Sequence, residues 1–389
     1  MQTLRQDLRH AMRTLARRPG LTAVSVATLA LGLGGATAIF SVADAVVLRP
    51  LPFAEPDRIV LVRQSDARRG HPVVEIGYPA FRAWRDESRS FTAMAGMPNT
   101  NQAFVLTGGQ EPVRIMGRSV TARFFDVLGV QPALGRGFTD ADDRPGAARV
   151  VVLSDALWRE RFGADPSVIG RSLTFDGQPA HTVVGVMPRG FAYPREAELW
   201  TTLVPGAEWA LDAPGVWWMA AIGRLAPGAS AASARPELDG IWTRLYGTHL
   251  DATGFGVVLT PVTDAVLGSS RAALLALLAG VVLVLMIACA NVAGLQIVQT
   301  VERRTEWAVR QALGASRPRL ARMLMAESLV LTALGGLGGA AIAAWGTPLL
   351  VAAAPADVPR LDQVALNART LLFGLAACAV TGLLAALAP

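Results

Sequence analysis

Residues 272–301 read AALLALLAGVVLVLMIACANVAGLQIVQTV, thirty residues without Asp, Glu, Arg or His. As an α-helix this run is about 45 Å long, against a bilayer hydrocarbon core of roughly 30 Å, so it should tilt or extend into water. Three more uncharged runs, Leu21–Ala43, Ser328–Ala356 and Thr370–Pro389, accompany it. Each meets the length a crossing helix needs, about 20 residues. Only 17% of the 389 residues are charged and 52% are hydrophobic, whereas soluble domains carry about a quarter charged residues. The expected fold is membrane α-helical, with four transmembrane helices and a large α+β extracytoplasmic domain.

Orientation follows from arginine, because the chain contains no lysine. The first 20 residues hold Arg5, Arg9, Arg13, Arg17 and Arg18 against Asp7, a net +4. Residues 301–327 hold Arg303, Arg304, Arg310, Arg317, Arg319 and Arg322 against Glu302, Glu306 and Glu327, a net +3. Loops rich in basic residues stay in the cytoplasm. The N-terminus and the 301–327 loop are therefore expected inside, and residues 48–270 and Asp357–Arg369 outside. The first run is longer than the apolar region of a cleaved signal peptide, about 7–15 residues, so it is expected to remain as an anchor. Residues 1–20 form a cytoplasmic segment, 21–47 the first span and 271–389 the remaining three.

In residues 2–18, Leu4, Leu8, Ala11, Met12 and Leu15 recur at helical spacing beside Arg5, Arg9, Arg13 and Arg17. Such a helix can lie on an anionic lipid surface; a plain topogenic charge cluster fits equally. The cytoplasmic loop offers a second amphipathic helix. Glu302–Leu313 places Ala308, Val309, Ala312 and Leu313 on one stripe, Gly314 can end it, and Ser316 can cap the next helix with Pro318 in its first turn. The residues allow either a docking handle or an ordinary charged loop.

The large domain reads as mixed α and β. Strands are expected at Ile59–Arg63, Ala103–Thr107, Val150–Leu153, Val183–Met187, Trp218–Leu225 and Gly256–Thr260, from short apolar or alternating runs bounded by Gly and Pro. Asp176-Gly177 suits a hairpin turn between residues 171–175 and 180–187. Helices are expected at Tyr78–Glu87, Thr121–Leu128, Asp155–Arg161 and Ser230–Leu250. Ser154 should cap the third, and Gly129 and Gly163 should terminate helices.

Within the spans, Gly32, Gly34, Gly35 and Ala36 crowd the first run, and Gly335, Gly336, Gly338 and Gly339 the third. Small residues four apart let helices approach closely. Asn291, polar at membrane depth, is expected to hydrogen-bond across helices. No uncharged run can hold the intramembrane carboxylates of an ion-coupled carrier.

Several chemistries find no support. A Walker A loop needs lysine, so these residues hold no ATP site of that kind. His10, His71, His181 and His249 stand singly, without zinc spacing. There is no GxSxG elbow, and Asp140, Asp142 and Asp143 lack the glycine and closing Glu of a calcium loop, which leaves a solvated acidic turn. The tryptophans, Trp200, Trp209, Trp217 and Trp218 among them, are expected in cores or at interfaces. Cys289 and Cys378 fall in spans, so no disulfide is expected outside. No catalytic residue, metal site, cofactor or nucleic-acid face emerges.

Four segments carry a family resemblance: ATLALGLGGATAIFSVADAVVLRPLPFAEPDRIV (27–60), TARFFDVLGVQPALGRGFTDADD (121–143), VVLSDALWRERFGADPSVIGRSLTFDGQPAHTVVGVMP (151–188) and LMIACANVAGLQIVQTVERRTEWAVRQALGASRPRLARMLMAESLVL (285–331). The chain resembles the MacB/FtsX-like ABC transporter permeases over nearly its whole length. The resemblance implies a periplasmic MacB-like core domain at 48–270, with a subdomain inserted near 110–212, and an FtsX-like permease domain at 271–389. It implies an inner-membrane protein without ATPase activity of its own, with ATP bound by a separate cytoplasmic ABC ATPase subunit and a second permease copy or half completing a dimer. Residues 302–322 would be the coupling loop, with Glu302, Arg303, Glu306, Trp307, Arg310, Leu313 and Gly314 its contact residues. Export or efflux is the implied activity; the alternative is a transmembrane scaffold that activates a cell-envelope hydrolase. Many relatives carry the four-span unit twice, and this chain carries it once, so it is expected to be part of a longer or split permease.

Overall fold

Helix α1 starts at Pro19, a residue suited to a first helical turn because its missing N–H would be unpaired there anyway, and runs to Ala43. In this computed structural model the described residues are 12–13, 15–17, 19–49, 51–107, 112–175, 177–203, 216–247, 254–268, 270–302, 317–354, 360–361 and 364–387. Most of the expected N-terminal amphipathic helix lies outside them. The chain divides into two units, Met1–Arg49 with Leu267–Pro389, and Pro50–Val266.

The Pro50–Val266 unit contains β1 (Ile59–Asp66), β2 (His71–Val74), α2 (Tyr78–Glu87), β3 (Phe91–Pro98), β4 (Gln102–Thr107), β5 (Val113–Val120), α3 (Phe124–Leu128), β6 (Leu134–Gly135), β7 (Val150–Leu153), α4 (Asp155–Phe162), β8 (Ser172–Phe175), β9 (His181–Val186), β10 (Leu199–Thr202), β11 (Met219–Leu225), α5 (Ala231–Tyr246) and β12 (Phe255–Pro261). One sheet has the order β12-β1-β11-β3, with β2 also on β1. The second has the order β6-β9-β7-β10-β5-β4-β8, and β8 also pairs with β9. Six of its strands therefore close into a ring, which removes the free edges that sheets otherwise expose. The ring spans Gln102–Thr202, and the first sheet is built from the chain on either side of it.

Strand β7 shows why the second sheet holds together. Its sequence VVVL is buried on both faces, as a continuous apolar strand must be. Val151 and Leu153 pack with Phe104, Ile115, Phe175, Val183 and Leu199. Val150 and Val152 turn the other way, towards Phe124, Phe125, Phe191 and Trp200, and to Ile59 and Ile222 of the first sheet. This shared core joins the two sheets. A third cluster, with Phe81, Trp84, Leu238 and Trp242, packs α2 and α5 on the opposite face of the first sheet.

Local signals in the sequence are realised where they are mechanical. Ser154 Oγ accepts from Leu157 N at 3.1 Å, capping α4. Gly129 and Gly163 take the left-handed conformation that ends α3 and α4. β8 and β9 pair antiparallel with Gly177 at φ +68°; Asp176 lies outside the described residues. Helix α3 starts at Phe124 rather than Thr121, because the Thr121 hydroxyl is used by the sheet: it accepts from Gly96 N at 2.9 Å. Helix α5 is described as far as Tyr246, and residues 248–250 of the expected helix lie outside the described residues. Strands β2, β3, β5 and β10 carry no clear signal in the sequence. Trp84 and Trp200 are buried core residues, their Nε1 groups donating to Leu238 O and Tyr193 O at 3.0 Å each.

Helix α6 (Val262–Leu267) ends the large domain at the division, and the helical unit continues with α7 (Ser270–Glu302), α8 (Arg317–Ala353) and α9 (Ala368–Leu387). Among the described residues, three helices are long and apolar enough to cross a bilayer, with windows Pro19–Leu48, Leu274–Asn291 and Met325–Ala353. The fourth expected span corresponds to α9, whose sequence carries no charge after Arg369. Within this unit α1 packs on α7, α8 and α9. Half of its window is buried, against 11% for α7.

Candidate functional site: the first helix and its partners

The centre of the helical unit is a set of glycines. A Cβ on Gly34 would lie 2.8 Å from Gly339 O and 2.7 Å from Ile342 Cβ. One on Gly339 would lie 3.1 Å from Gly34 N, and one on Gly335 2.5 Å from Leu29 Cβ. On the other side of α1, a Cβ on Gly32 would be 3.0 Å from Ala288 Cβ of α7. Van der Waals contact, rather than a hydrophobic drive, holds helices together in lipid, so backbones must come close. Gly32, Gly34, Gly335 and Gly339 lie where α1 meets α7 and α8.

The polar groups of this interface are bonded internally. Thr37 Oγ1 donates to Leu33 O at 2.7 Å, and Ser41 Oγ donates to Ala38 O at 2.6 Å while lying 3.4 Å from Thr347 Oγ1. Cys378 Sγ donates to Thr332 O at 3.3 Å. Asn291, expected to bond across helices, is exposed on α7.

The expected coupling residues Arg303, Glu306, Trp307, Arg310, Leu313 and Gly314 lie outside the described residues, and Glu302 is the last residue of α7. The helices on either side are informative. Residues 292–301 of α7 continue its uncharged run, whereas α8 begins with Arg317, Arg319 and Arg322 ahead of its own uncharged run from Ser328. The 303–316 connection thus follows the uncharged run of α7 directly and precedes the arginines of α8.

In the Pro50–Val266 unit a cavity of about 570 Å³ opens between α2 and β3 on one side and the loop from Asp140 to Pro145 on the other. This loop is not a simple solvated acidic turn. Asp140 pairs with Arg123 (3.0 Å), and Asp142 with Arg136 (2.7 Å) and the Thr139 N–H (2.8 Å). Asp142 is buried by this bonding; guanidinium and Thr139 hydrogen bonds outweigh desolvation and hold its carboxyl below the usual range. Asp143 differs. Among the described residues its Oδ2 accepts only from Ala122 N, at 3.3 Å, and its buried Oδ1 has no partner. Desolvation pushes its pKa up to about 6. The three carboxylates therefore point to different partners, and among the described residues no group of side chains is arranged to hold a metal. Sequence reasoning misses this because three aspartates in four residues look solvent-exposed until Arg136 and Thr139 are brought to one of them.

A second buried polar feature lies on the shared core. Arg118 of β5 is 7% exposed, donates to Pro98 O and is lowered to about 10 by burial. The buried Tyr193 hydroxyl is pushed up to about 12 by desolvation, against the opposing effect of Arg118 and Arg63.

Two family matches tile the chain. Residues 22–241 match the MacB-like periplasmic core domain, and residues 272–389 match the FtsX-like permease C-terminal domain. The chain belongs to the MacB/FtsX-like permeases. The macrolide export ATP-binding/permease protein MacB of Burkholderia lata is 26% identical over 253 residues, 63% of this chain and 35% of that protein. The protein of the same name from Neisseria meningitidis serogroup A is 24% identical over 263 residues, 66% of this chain and 39% of that one. This MacB/FtsX-like chain thus spans little more than a third of the length of these relatives. The periplasmic region of MacB from Actinobacillus actinomycetemcomitans is similar at 15% identity with a TM-score of 0.39, covering 55% of this chain and 92% of that one.

Two outcomes test the geometry. Gly339→Leu and Gly34→Val should each destabilise the detergent-solubilised permease by about 1–3 kcal/mol, the usual cost of overpacking. Gly35→Ala, with nothing within 4 Å of its added carbon, should leave thermal unfolding unchanged. Equal melting of all three variants would show that α1 and α8 do not meet at these residues. For Asp143, the folded pKa of about 6 lies above the ordinary 3.8. Its contribution is therefore most favourable when protonated and is lost as pH rises through about 6. Asp143→Asn should raise the melting temperature at about pH 7.5 and lose that advantage near pH 4. A constant difference across that range would contradict the burial of this carboxyl.

Proposed function

We propose that this protein is the permease part of an ABC transporter of the MacB/FtsX type. Movement driven by a cytoplasmic ATPase reaches the large periplasmic domain through the helical unit, for export or efflux. The supporting observation is the family order along the chain, a MacB-like periplasmic core domain over 22–241 followed by an FtsX-like permease domain over 272–389. In this reading α1, α7, α8 and α9 all cross the membrane, the N-terminus lies inside and residues 48–270 lie outside.

Because the chain holds no lysine, ATP is bound by another polypeptide or another segment, and we assign it to a separate ABC ATPase subunit. The 302–322 loop, at the junction of α7 and α8, faces that subunit. Glu302, Arg303, Glu306, Trp307, Arg310, Leu313 and Gly314 form the docking helix and its stop, with Glu306 and Arg310 one turn apart. A short amphipathic helix between two rigid rods is suited to this role, since force on it moves both rods. Lipid and a second permease copy or half cover the aliphatic faces of α7 and α8, where Leu283, Ile287 and Leu337 are exposed. The cargo follows from neither fold nor family.

The test is affinity purification of the tagged chain from its native membranes, beside the Glu306→Arg/Arg310→Glu double variant. An ATP-binding subunit should copurify with the wild type and be lost from the variant. Recovery of no ATP-binding protein with either form would overturn the assignment of a separate ATPase.

A further inference from the structure

At the outgoing end of α1 the regular helix gives way to a π-helical turn, Asp44–Leu48, with Arg49 N bonding back to Asp44 O at 2.8 Å. Such wider turns inside helices are often functional. Asp44 is charged, yet its side chain is 1% exposed. A carboxylate in that position is doubly disfavoured. It is withdrawn from water, and it lies at the negative end of the helix dipole. Its partners must offset both costs.

Those partners come from the approach to α9. Asn367 Nδ2 donates to Asp44 Oδ2 at 3.0 Å. Asn367 is itself fixed by a reciprocal cap: Thr370 N donates to its Oδ1 at 3.0 Å, and its own N–H donates to Thr370 Oγ1 at 2.9 Å. The amide is therefore aimed before Asp44 arrives. Arg369 Nη1 stands 3.8 Å from Asp44 Oδ1, and Arg49 Nη2 donates to Oδ2 at 3.5 Å. A second tie runs beside this one, as Arg360 Nη1 donates to Arg49 O at 2.8 Å. On the neighbouring face, Val42 and Val46 pack with Leu267 and Leu274, at the return from the large domain.

We infer that Asp44 is a positioning residue, and that its bond to Asn367 makes the exit turn of α1 and the start of α9 move as one body. Residues 44–49 are the covalent lead into the large domain, which begins at Pro50. A rigid joint there passes displacement of the bundle to that lead. Without it, the π-turn could take up the displacement by rewinding. The consequence for transport rests on the permease reading above; the joint itself does not. The inference also explains why a charge immediately follows the first uncharged run: the pair fixes one register between α1 and α9, and an apolar contact there would allow several.

The test uses the full chain in lipid nanodiscs, with Cys289→Ser and Cys378→Ser and spin labels on cysteines replacing Leu48 and Leu371, both about half exposed. The wild type should give one narrow distance distribution. Asn367→Asp, which sets two carboxylates face to face, should shift it outward and broaden it, and Asp44→Asn should broaden it less. The exchanged pair Asp44→Asn/Asn367→Asp restores one carboxylate and one amide, with the new carboxylate still able to cap Thr370, and should return the wild-type distribution. Single variants indistinguishable from wild type, or an exchange no better than Asn367→Asp, would overturn the joint. With the copurified ATPase and ATP plus vanadate, the Leu48–Leu371 distance should stay fixed in the wild type and change in Asn367→Asp. If no ATPase is found, the permease reading fails while the resting distances still decide the joint.

Discussion

The close approach of α1 to α8 is the constraint on which the helical unit depends. Lipid offers no hydrophobic reward for bringing two apolar helices together, so their association rests on contact and on small residues. Gly34 and Gly339 lie close enough that either Cβ would meet the other's backbone. Gly32 brings α7 to the other side of the same helix. With α1 held between its neighbours, α7 and α8 can expose aliphatic side chains over most of their windows. Among the three helices of membrane-crossing length, the one that leads into the large domain is also the most enclosed.

The large domain meets the same requirement by different means. Its two sheets share one apolar core, in which Phe124, Phe125, Phe191 and Trp200 of the inserted ring pack with Ile59 and Ile222 of the first sheet. Burial at about 25 cal/mol per Å² makes this aromatic seam the main force joining them. Beside Arg118 and Tyr193 on the core, the acidic loop carries polar groups that are either fully bonded, as Asp142 is, or left short of partners, as Asp143 is. The domain therefore presents a firm joint between its sheets and a softer cleft beside it.

Much of this is legible in the sequence, and the reasons differ by element. The uncharged runs and the glycine spacing mark helices because lipid tolerates little else. Caps and stops such as Ser154, Gly129 and Gly163 are local chemistry, readable without knowing what packs around them. Strands β3 and β5 are not legible, since FTAMAGMP and VRIMGRSV alternate poorly and are fixed by neighbours far away in sequence. Arg118 on an inward face and Asp44 at a buried helix end contradict composition rules, and their reason emerges only when Pro98 and Asn367 are brought to them. The contact residues of the 302–322 loop rest on the family pattern alone.

Transmission through the helical unit requires that the large domain and the 303–316 connection lie on opposite sides of the membrane. The direct measurement is labelling of single cysteines with a membrane-impermeant maleimide in intact cells, after Cys289→Ser and Cys378→Ser. A cysteine replacing Arg69, whose side chain is 74% exposed in the large domain, should react in intact cells. One replacing Ala312 should react only after permeabilisation. Labelling of both positions from the same side, or the reverse order, would contradict this topology and the transmission that depends on it.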